Sequence, residues 1–475
     1  MSVVKNFLYN SSITVSTYIF SFITFPYVTR VLGVQSMGVF GYVDNVINYF
    51  LLFLMLGVSS VGTREIASSK NDFKKRSEVF FNLFAFLLLS TFIVTIVYTI
   101  CIFAIPQLKQ YENLFIIGYV KLLFTPFLFE WIFAGLQDFR YIAIRSLFVK
   151  LLYVISVFFF VNSKEDIDTY FFLTCFTVFA NSVVNIVALQ KYVTFSRDIK
   201  IKLDRYLKLL FKLGSFTIIV SLYSTFNYIY LRAVSSEYQV GIYYTSIRIY
   251  SIILGFYSAF TNVMMPRISE LLEDGDKSTV NRLLDKSFLA LFTFSIPLLS
   301  CSVLLAPFII RIIAGEGYYD AVIPMTIVMP LLLIAGINQV NGIQILMPMR
   351  KDNVLLWTSL IAAIAGVIFN FVFAAKLGAV GCCMALFASE TTGCVSGVIY
   401  ALKSKLFVFP IRLMLNHLLS AIPYFIICLL VTFLIEGFVI KYVILLLIFT
   451  IYFILSQMYI LKNPLITGLV SKLIR

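Results

Sequence analysis

Charge is scarce in this sequence. Only 13% of its 475 residues are Asp, Glu, Lys or Arg, about half the share of a soluble globular domain. Acids are the rarer sign, 23 against 37 Lys and Arg, which leaves a net charge of +14. The one histidine, His417, argues against a metal centre or a catalytic triad built on imidazole. The seven cysteines, Cys101, Cys175, Cys301, Cys382, Cys383, Cys394 and Cys428, all lie in apolar runs, and none forms Cys-x-x-Cys. They read as small buried hydrophobes with no disulfide framework. No G-x-x-x-x-G-K-[ST] phosphate loop occurs, and no polar stretch is long enough for an ATPase domain. No cofactor is expected, and any pumping must use an ion gradient, a substrate gradient or a partner.

What the chain has is apolar surface. Hydrophobic residues make up 61%, against about 45–50% in soluble domains, and mean hydropathy is +0.97. Cores of ordinary size cannot hide that much, so the bilayer is the solvent. One membrane helix needs about 20 apolar residues. The runs predict fourteen spans near 7–29, 39–61, 79–104, 114–136, 142–161, 169–189, 212–234, 240–263, 288–310, 321–346, 354–375, 380–401, 417–435 and 439–461. The first run is too long for a signal-peptide core and lacks a small-residue cleavage site, so it is expected to be retained.

Even-numbered spans return the chain to its starting side. Of the Lys and Arg, 27 fall on that side and six on the other: Arg30, Lys109, Lys164, Arg311, Lys376 and Lys441. Lys121, Lys150, Arg232 and Arg248 fall inside spans. The positive-inside rule then puts both termini in the cytoplasm, and the basic balance reflects topology, not nucleic-acid binding. The two long cytoplasmic connections, Gly62–Glu78 and Gln190–Phe211, are expected to lie along anionic headgroups.

A short internal repeat is visible. Thr29-Arg30-Val31-Leu32, Gly38-Val39-Phe40 and Arg64 answer to Leu231-Arg232-Ala233-Val234, Gly241-Ile242-Tyr243 and Arg267. The spacing from glycine to the last arginine is 26 in both copies. In this register span one matches span seven, and two matches eight. Two six-helix halves of like orientation need a pseudo-two-fold axis along the membrane normal, as in parallel-repeat transporters. The expected organisation is an N-lobe at 1–190, a basic linker at 191–211, a C-lobe at 212–402 and two extra spans within 403–475.

Polar residues gather on span faces. Span one carries Asn10, Thr14, Thr17, Ser21 and Thr24. Span seven carries Thr217, Ser221, Ser224, Tyr228 and Arg232, and span eight Tyr244, Arg248, Ser251, Gly255, Ser258 and Asn262. The repeat makes Asn45 and Asn48 the counterparts of Arg248 and Ser251. Small and hydroxyl residues suit helix packing, whereas Arg232 and Arg248 in hydrocarbon point to a polar cavity. Arg30 fits either that cavity or an interfacial anchor. Asp44, Glu130 and Glu390 are candidate ion-coupling acids, or neutralising partners of nearby arginines. Asn338, Gln339, Asn341 and Gln344 on span ten suit a pathway lining or interhelical hydrogen bonds. Arg64 and Arg267 at cytoplasmic helix ends suit headgroup contact or a gate.

KNFLYN at 5–10, PYVTRVLG at 26–33, LGVSSVGTREIA at 56–67, EWIFAGLQDF at 130–139, VMMPRISEL at 263–271 and NGIQILMP at 341–348 resemble bacterial lipid-linked oligosaccharide flippases of the Wzx type. These belong to the multidrug/oligosaccharidyl-lipid/polysaccharide superfamily. The resemblance covers about residues 3–400. It implies a two-lobed all-α bundle in the bacterial inner membrane that exports undecaprenyl-diphosphate-linked repeat units for O-antigen, capsule or exopolysaccharide. It implies no enzymatic step and a polysaccharide polymerase as a partner; a monomer is expected, because the cavity would be internal. Similar proteins often carry an acidic and then a basic residue where this chain has Asn227-Tyr228. A charge pair there is absent, which puts cation coupling in question. Arg30, Arg232, Arg248, Asn45, Asn48, Lys121 and Lys150 are the candidate contacts for diphosphate and sugar, since guanidinium matches phosphate bidentately. Two competing readings remain. A cation-coupled drug antiporter of the same superfamily would need an essential acid in an apolar pocket. A polytopic glycosyltransferase or polymerase would need catalytic groups on a sizeable outer loop.

Overall fold

A computed structural model describes the backbone of residues 3–194, 201–273 and 275–473. Residues 195–200 of the basic linker, and the side chains of Asn10, Thr14 and Asn262, lie outside the described set. Every described element is helical. The helices used below are α1 Val3–Met55, α2 Val58–Ser68, α3 Phe73–Ala104, α4 Glu112–Phe124, α5 Phe139–Phe160, α6 Ile167–Leu189, α7 Asp204–Ser224, α8 Phe226–Val234, α9 Glu237–Glu273, α10 Lys277–Leu304, α11 Leu331–Gln339, α12 Asp352–Phe369, α13 Ala379–Lys403, α14 Ile411–Leu434 and α15 Phe438–Leu455.

Among the described residues, ten helices are long and apolar enough to cross a bilayer. Two pairs bent by 45°, Asp204–Ser221 with Phe226–Val234 and Glu316–Val328 with Leu331–Leu346, raise the number to twelve. The helix α1 is 53 residues long. At about 1.5 Å per residue it would far exceed a hydrocarbon core of about 30 Å. It breaks at Gly33, whose φ of 78° and ψ of 175° suit only glycine. That break lies between the first two predicted spans. Counting both halves of α1 and the 37-residue α9 makes the arrangement consistent with fourteen spans.

Outward faces are apolar, with Phe92 67%, Phe159 73% and Phe433 82% exposed, as lipid-facing surfaces require. Aspartates at three turns start helices. Asp72 accepts from Lys75 N, Asp138 from Tyr141 N and Asp276 from Thr279 N, satisfying amides that a helix start leaves open. The connection Gly62–Glu78 is largely helical. Most of it belongs to α2 and α3, and α2 buries Val58, Val61 and Ile66 while packing on the Glu130–Gly135 helix. Val58, Val61 and Ile66, at i, i+3 and i+8, share the face of α2 that is buried.

Two compact units emerge from the packing: 1–244 with 370–379, and 245–369 with 380–475. In the first, α1 runs along α5, and α4 along α6. In the second, α14 packs on α10 and α15, around Cys301, Leu305, Tyr424, Cys428, Tyr442 and Leu445. The broken tenth span holds a π-helical turn at Val340–Leu346.

Candidate functional site

The repeat pairs Gly38 with Gly241, and in the first unit these two residues meet. A Cβ on Gly38 would run into the carbonyl oxygen of Glu237 and lie 2.9 Å from Gly241 N. A Cβ on Gly241 would run into the carbonyl oxygen of Val34 and lie 2.9 Å from Val34 Cγ1. Val34 and Glu237 each stand four residues before the glycine of their own copy. Each contact is therefore the image of the other under the sequence repeat. One turn on, a Cβ on Gly41 would lie 3.4 Å from Cβ of Tyr244, again its register partner. Two backbones come this close only where neither carries a side chain.

Arg232 sits beside this crossing. Its Nε donates to Tyr111 Oη at 2.9 Å, and its Nη2 lies 3.5 Å from Glu237 Oε1. Tyr111 Oη donates in turn to Glu237 Oε1. The guanidinium carbon is 5.7 Å from the Tyr111 ring centroid. Burial and the Glu237 carboxylate push the Tyr111 phenol above its ordinary pKa, so it remains a donor at neutral pH. A cavity of about 530 Å³ adjoins the triad, lined by Gln35, Lys109, Asn113, Asp168 and Glu237 among others.

Three predicted residues form one closed ring. Lys121 Nζ reaches Asp44 Oδ1 at 2.7 Å and Asn48 Oδ1 at 2.8 Å, and Asn48 Nδ2 donates to Asp44 Oδ2 at 3.1 Å. Glu130 is likewise neutralised. Arg145 Nη2 lies 3.0 Å from Glu130 Oε1, and Arg145 Nη1 donates to Asn185 Oδ1 at 2.6 Å. Lys150 donates to Thr17 on the polar face of span one. Asn45 donates to its own helix, at Gly41 O.

The other candidates are spread out. Arg30 is exposed, three residues before the Gly33 break. Arg64 is exposed on α2, and Arg267 pairs with Glu270 at 2.6 Å, also exposed. Arg248 and Glu390 belong to the second unit, both half-buried. Asn338 lies within hydrogen-bond reach of Glu390, and Gln339 Nε2 donates to Ser258 Oγ at 2.9 Å. Asn341 and Gln344 are fully buried, and the Gln344 amide finds no partner among the described residues. At the position where similar proteins often carry charge, Asn227 donates to Tyr243 Oη at 2.8 Å and accepts from Asn370 Nδ2 at 2.6 Å. A neutral amide network stands there.

Sequence reasoning missed Arg145, Tyr111 and Glu237. The 27 cytoplasmic-side cations include Arg145, at the start of the span near 142–161, yet it is buried on α5. Its signal was the acid fifteen residues earlier, within an apolar context. Tyr111 and Glu237 lie at span ends, where Tyr and Glu are ordinary.

The family described as polysaccharide biosynthesis protein matches residues 3–272, more than half of the chain. A curated protein of Escherichia coli (strain K12) named "Putative O-antigen transporter" is 26% identical over 407 residues, covering 82% of this chain and 94% of its own length. A protein of the same name from Shigella dysenteriae is 23% identical over 394 residues, covering 81% and 96%. Among solved structures, the lipid II flippase MurJ in an inward closed conformation superposes with a TM-score of 0.74 at 16% identity, over 94% of this chain and 99% of that one. An inward-facing multidrug resistance transporter of the MATE family gives 0.57 at 16% identity, over 86% and 96%.

Proposed function

The chain belongs to the polysaccharide biosynthesis protein family, and on that footing we propose that it is a flippase. Its substrate is an undecaprenyl-diphosphate-linked oligosaccharide repeat unit, moved from the cytoplasmic to the periplasmic leaflet of the bacterial inner membrane. No covalent chemistry is involved. The polyprenyl tail stays in lipid while diphosphate and sugars cross between two six-helix lobes, 1–190 and 212–402, that open alternately to each side. Both termini are cytoplasmic. The spans within 403–475 lie outside the repeat. The protein acts as a monomer and hands its product to a polymerase.

The observation that carries this reading is the reciprocal crossing at Gly38 and Gly241. Repeat-related helices that meet on a pseudo-two-fold axis are what a two-lobed carrier needs to close one side. The charge bias of the loops supports a periplasmic level for this crossing, and on this reading it seals the outer side of a state awaiting substrate from inside. Arg232 is poised just there, held by Tyr111 and Glu237. Arg30 and Arg248 are the further candidate contacts for the diphosphate, and Asn45 and Lys150 those for the sugars. A low-dielectric cleft strengthens such contacts over water. Asp44 and Glu130 already hold cations, so ion coupling falls to Glu390. The same two ion pairs weigh against a drug antiporter run by an acid in the first unit.

A strain lacking this protein should accumulate lipid-linked repeat units on the cytoplasmic side and lose surface polysaccharide. Arg232→Ala should reproduce that defect at normal abundance, and Arg232→Lys should restore part of it, keeping charge but losing bidentate geometry. A deletion strain with no accumulation would overturn the reading.

A further inference from the structure

The second unit contains a cavity lined by none of the residues proposed above as substrate contacts. It measures about 740 Å³ and opens between α10, α14 and the chain just after α15. Arg282 and Lys286 line it from α10, four residues apart and so on one helical face. Neither has an ion-pair partner among the described residues. His417 lines it from α14 and is 1% exposed. Its Nδ1 engages the Leu413 carbonyl at 2.9 Å, so Nδ1 carries the proton and Nε2 is left as an acceptor. That Nε2 is buried and has no hydrogen-bond partner among the described residues. A buried acceptor with nothing to accept costs stability, and its presence beside a cavity marks a place for a donor. Much of the remaining lining is apolar, including Leu289, Leu419 and Ile460.

The level of this cavity matters as much as its lining. Arg282 and Lys286 fall in the first turns of α10, His417 in the first turns of α14, and Ile460 at the end of the last span. On the topology that the charge bias implies, all four fall near the membrane boundary on the side of the basic loops. That boundary faces the leaflet rich in anionic lipid, where each basic residue near the surface contributes about 1 kcal/mol of attraction.

We propose that this cavity binds an anionic glycerophospholipid of the cytoplasmic leaflet. Its phosphate sits between Arg282 and Lys286, a headgroup hydroxyl donates to His417 Nε2, and an acyl chain covers the apolar lining. The group is an amphiphile, not free phosphate, because the lining passes from two cations to alkyl side chains within one cavity. A hydroxyl is required, because phosphate oxygens are acceptors and cannot satisfy Nε2. Asp285, also in the lining, disfavours a second negative charge and selects a singly charged headgroup. The bound lipid would pin the extra spans to α10.

The test uses the full chain, purified in detergent, with native mass spectrometry and thermal unfolding as readouts. Phosphatidylglycerol should be retained at least tenfold over phosphatidylcholine and raise Tm by several degrees. Phosphatidic acid, which lacks the glycerol hydroxyl, should bind more weakly, and inorganic phosphate should leave Tm unchanged. Arg282→Gln with Lys286→Gln should abolish the preference for anionic lipid. His417→Phe fills the same space, so it should keep that preference while narrowing the distinction between phosphatidylglycerol and phosphatidic acid to the part that Asp285 maintains. Equal retention of phosphatidylcholine, a Tm shift with phosphate alone, or an unchanged preference in the double variant would each overturn the proposal. None of these readouts depends on transport, so the flippase reading can fail without affecting them.

Discussion

Lys121 is the residue where binding and folding compete most clearly. The sequence makes it a candidate contact for the substrate, but its ammonium donates to both Asp44 and Asn48. Taking away one member of a largely buried pair leaves an uncompensated charge, at a cost of about 3–5 kcal/mol. Asp44→Asn and Lys121→Met should therefore each lower Tm and abundance. The double variant should lie nearer the wild type than either single change, because no lone charge remains. If the double variant is the least stable of the three, the ring is not a self-neutralising structural unit. Export by a well-folded double variant would further remove Lys121 from the substrate contacts. The members of this ring were each legible in the sequence, because ionisable groups in hydrocarbon demand an explanation. Their mutual pairing was not, since Asp44 and Lys121 lie 77 residues apart. Tyr111 escaped notice for the opposite reason, as a tyrosine at a span end looks like an interfacial anchor.

The crossing of α1 and α9 is the decisive contact between elements. A methyl group on Gly38 has no room, because the carbonyl of Glu237 and the amide nitrogen of Gly241 occupy its place. The two backbones must separate for Gly38→Ala to fold, and if the crossing is the proposed outer seal this shifts the protein toward the state open on the outside. A cysteine at Asn45, about 10 Å further in along the helix, reports this. Its labelling by a membrane-impermeant reagent added to intact cells should rise several-fold in Gly38→Ala and in Gly241→Ala at wild-type abundance. Labelling that stays at the parent level in both variants would show that the crossing is not a seal. The glycines could be found from sequence because equal spacing to Arg64 and Arg267 marked them as counterparts. That they touch could not, because a repeat register says which residues are equivalent and not which are neighbours. The break at Gly33 was legible only as a gap between spans. Its positive φ leaves no polar or Pro-rich loop in the sequence to announce the turn.

At the scale of the whole molecule, the account rests on motion. A carrier with two repeat-related lobes works only if the outer seal opens in each cycle, and locking that seal must stop transport without unfolding the protein. The structure suggests where to place the lock. The Cβ position of Gly41 lies 3.4 Å from Cβ of Tyr244, close to the about 3.5–4.5 Å that a disulfide spans. The helices of this chain could be anticipated from apolar runs alone, because hydrocarbon thickness sets their length. The lobes' motion could not, because alternate packings of the same helices leave the same pattern of apolar residues. The most direct measurement is export of lipid-linked repeat units by the Gly41→Cys, Tyr244→Cys protein before oxidation, after oxidation and after reduction. The account predicts that export falls to background in the cross-linked protein and returns with reductant. Undiminished export by fully cross-linked protein would contradict it.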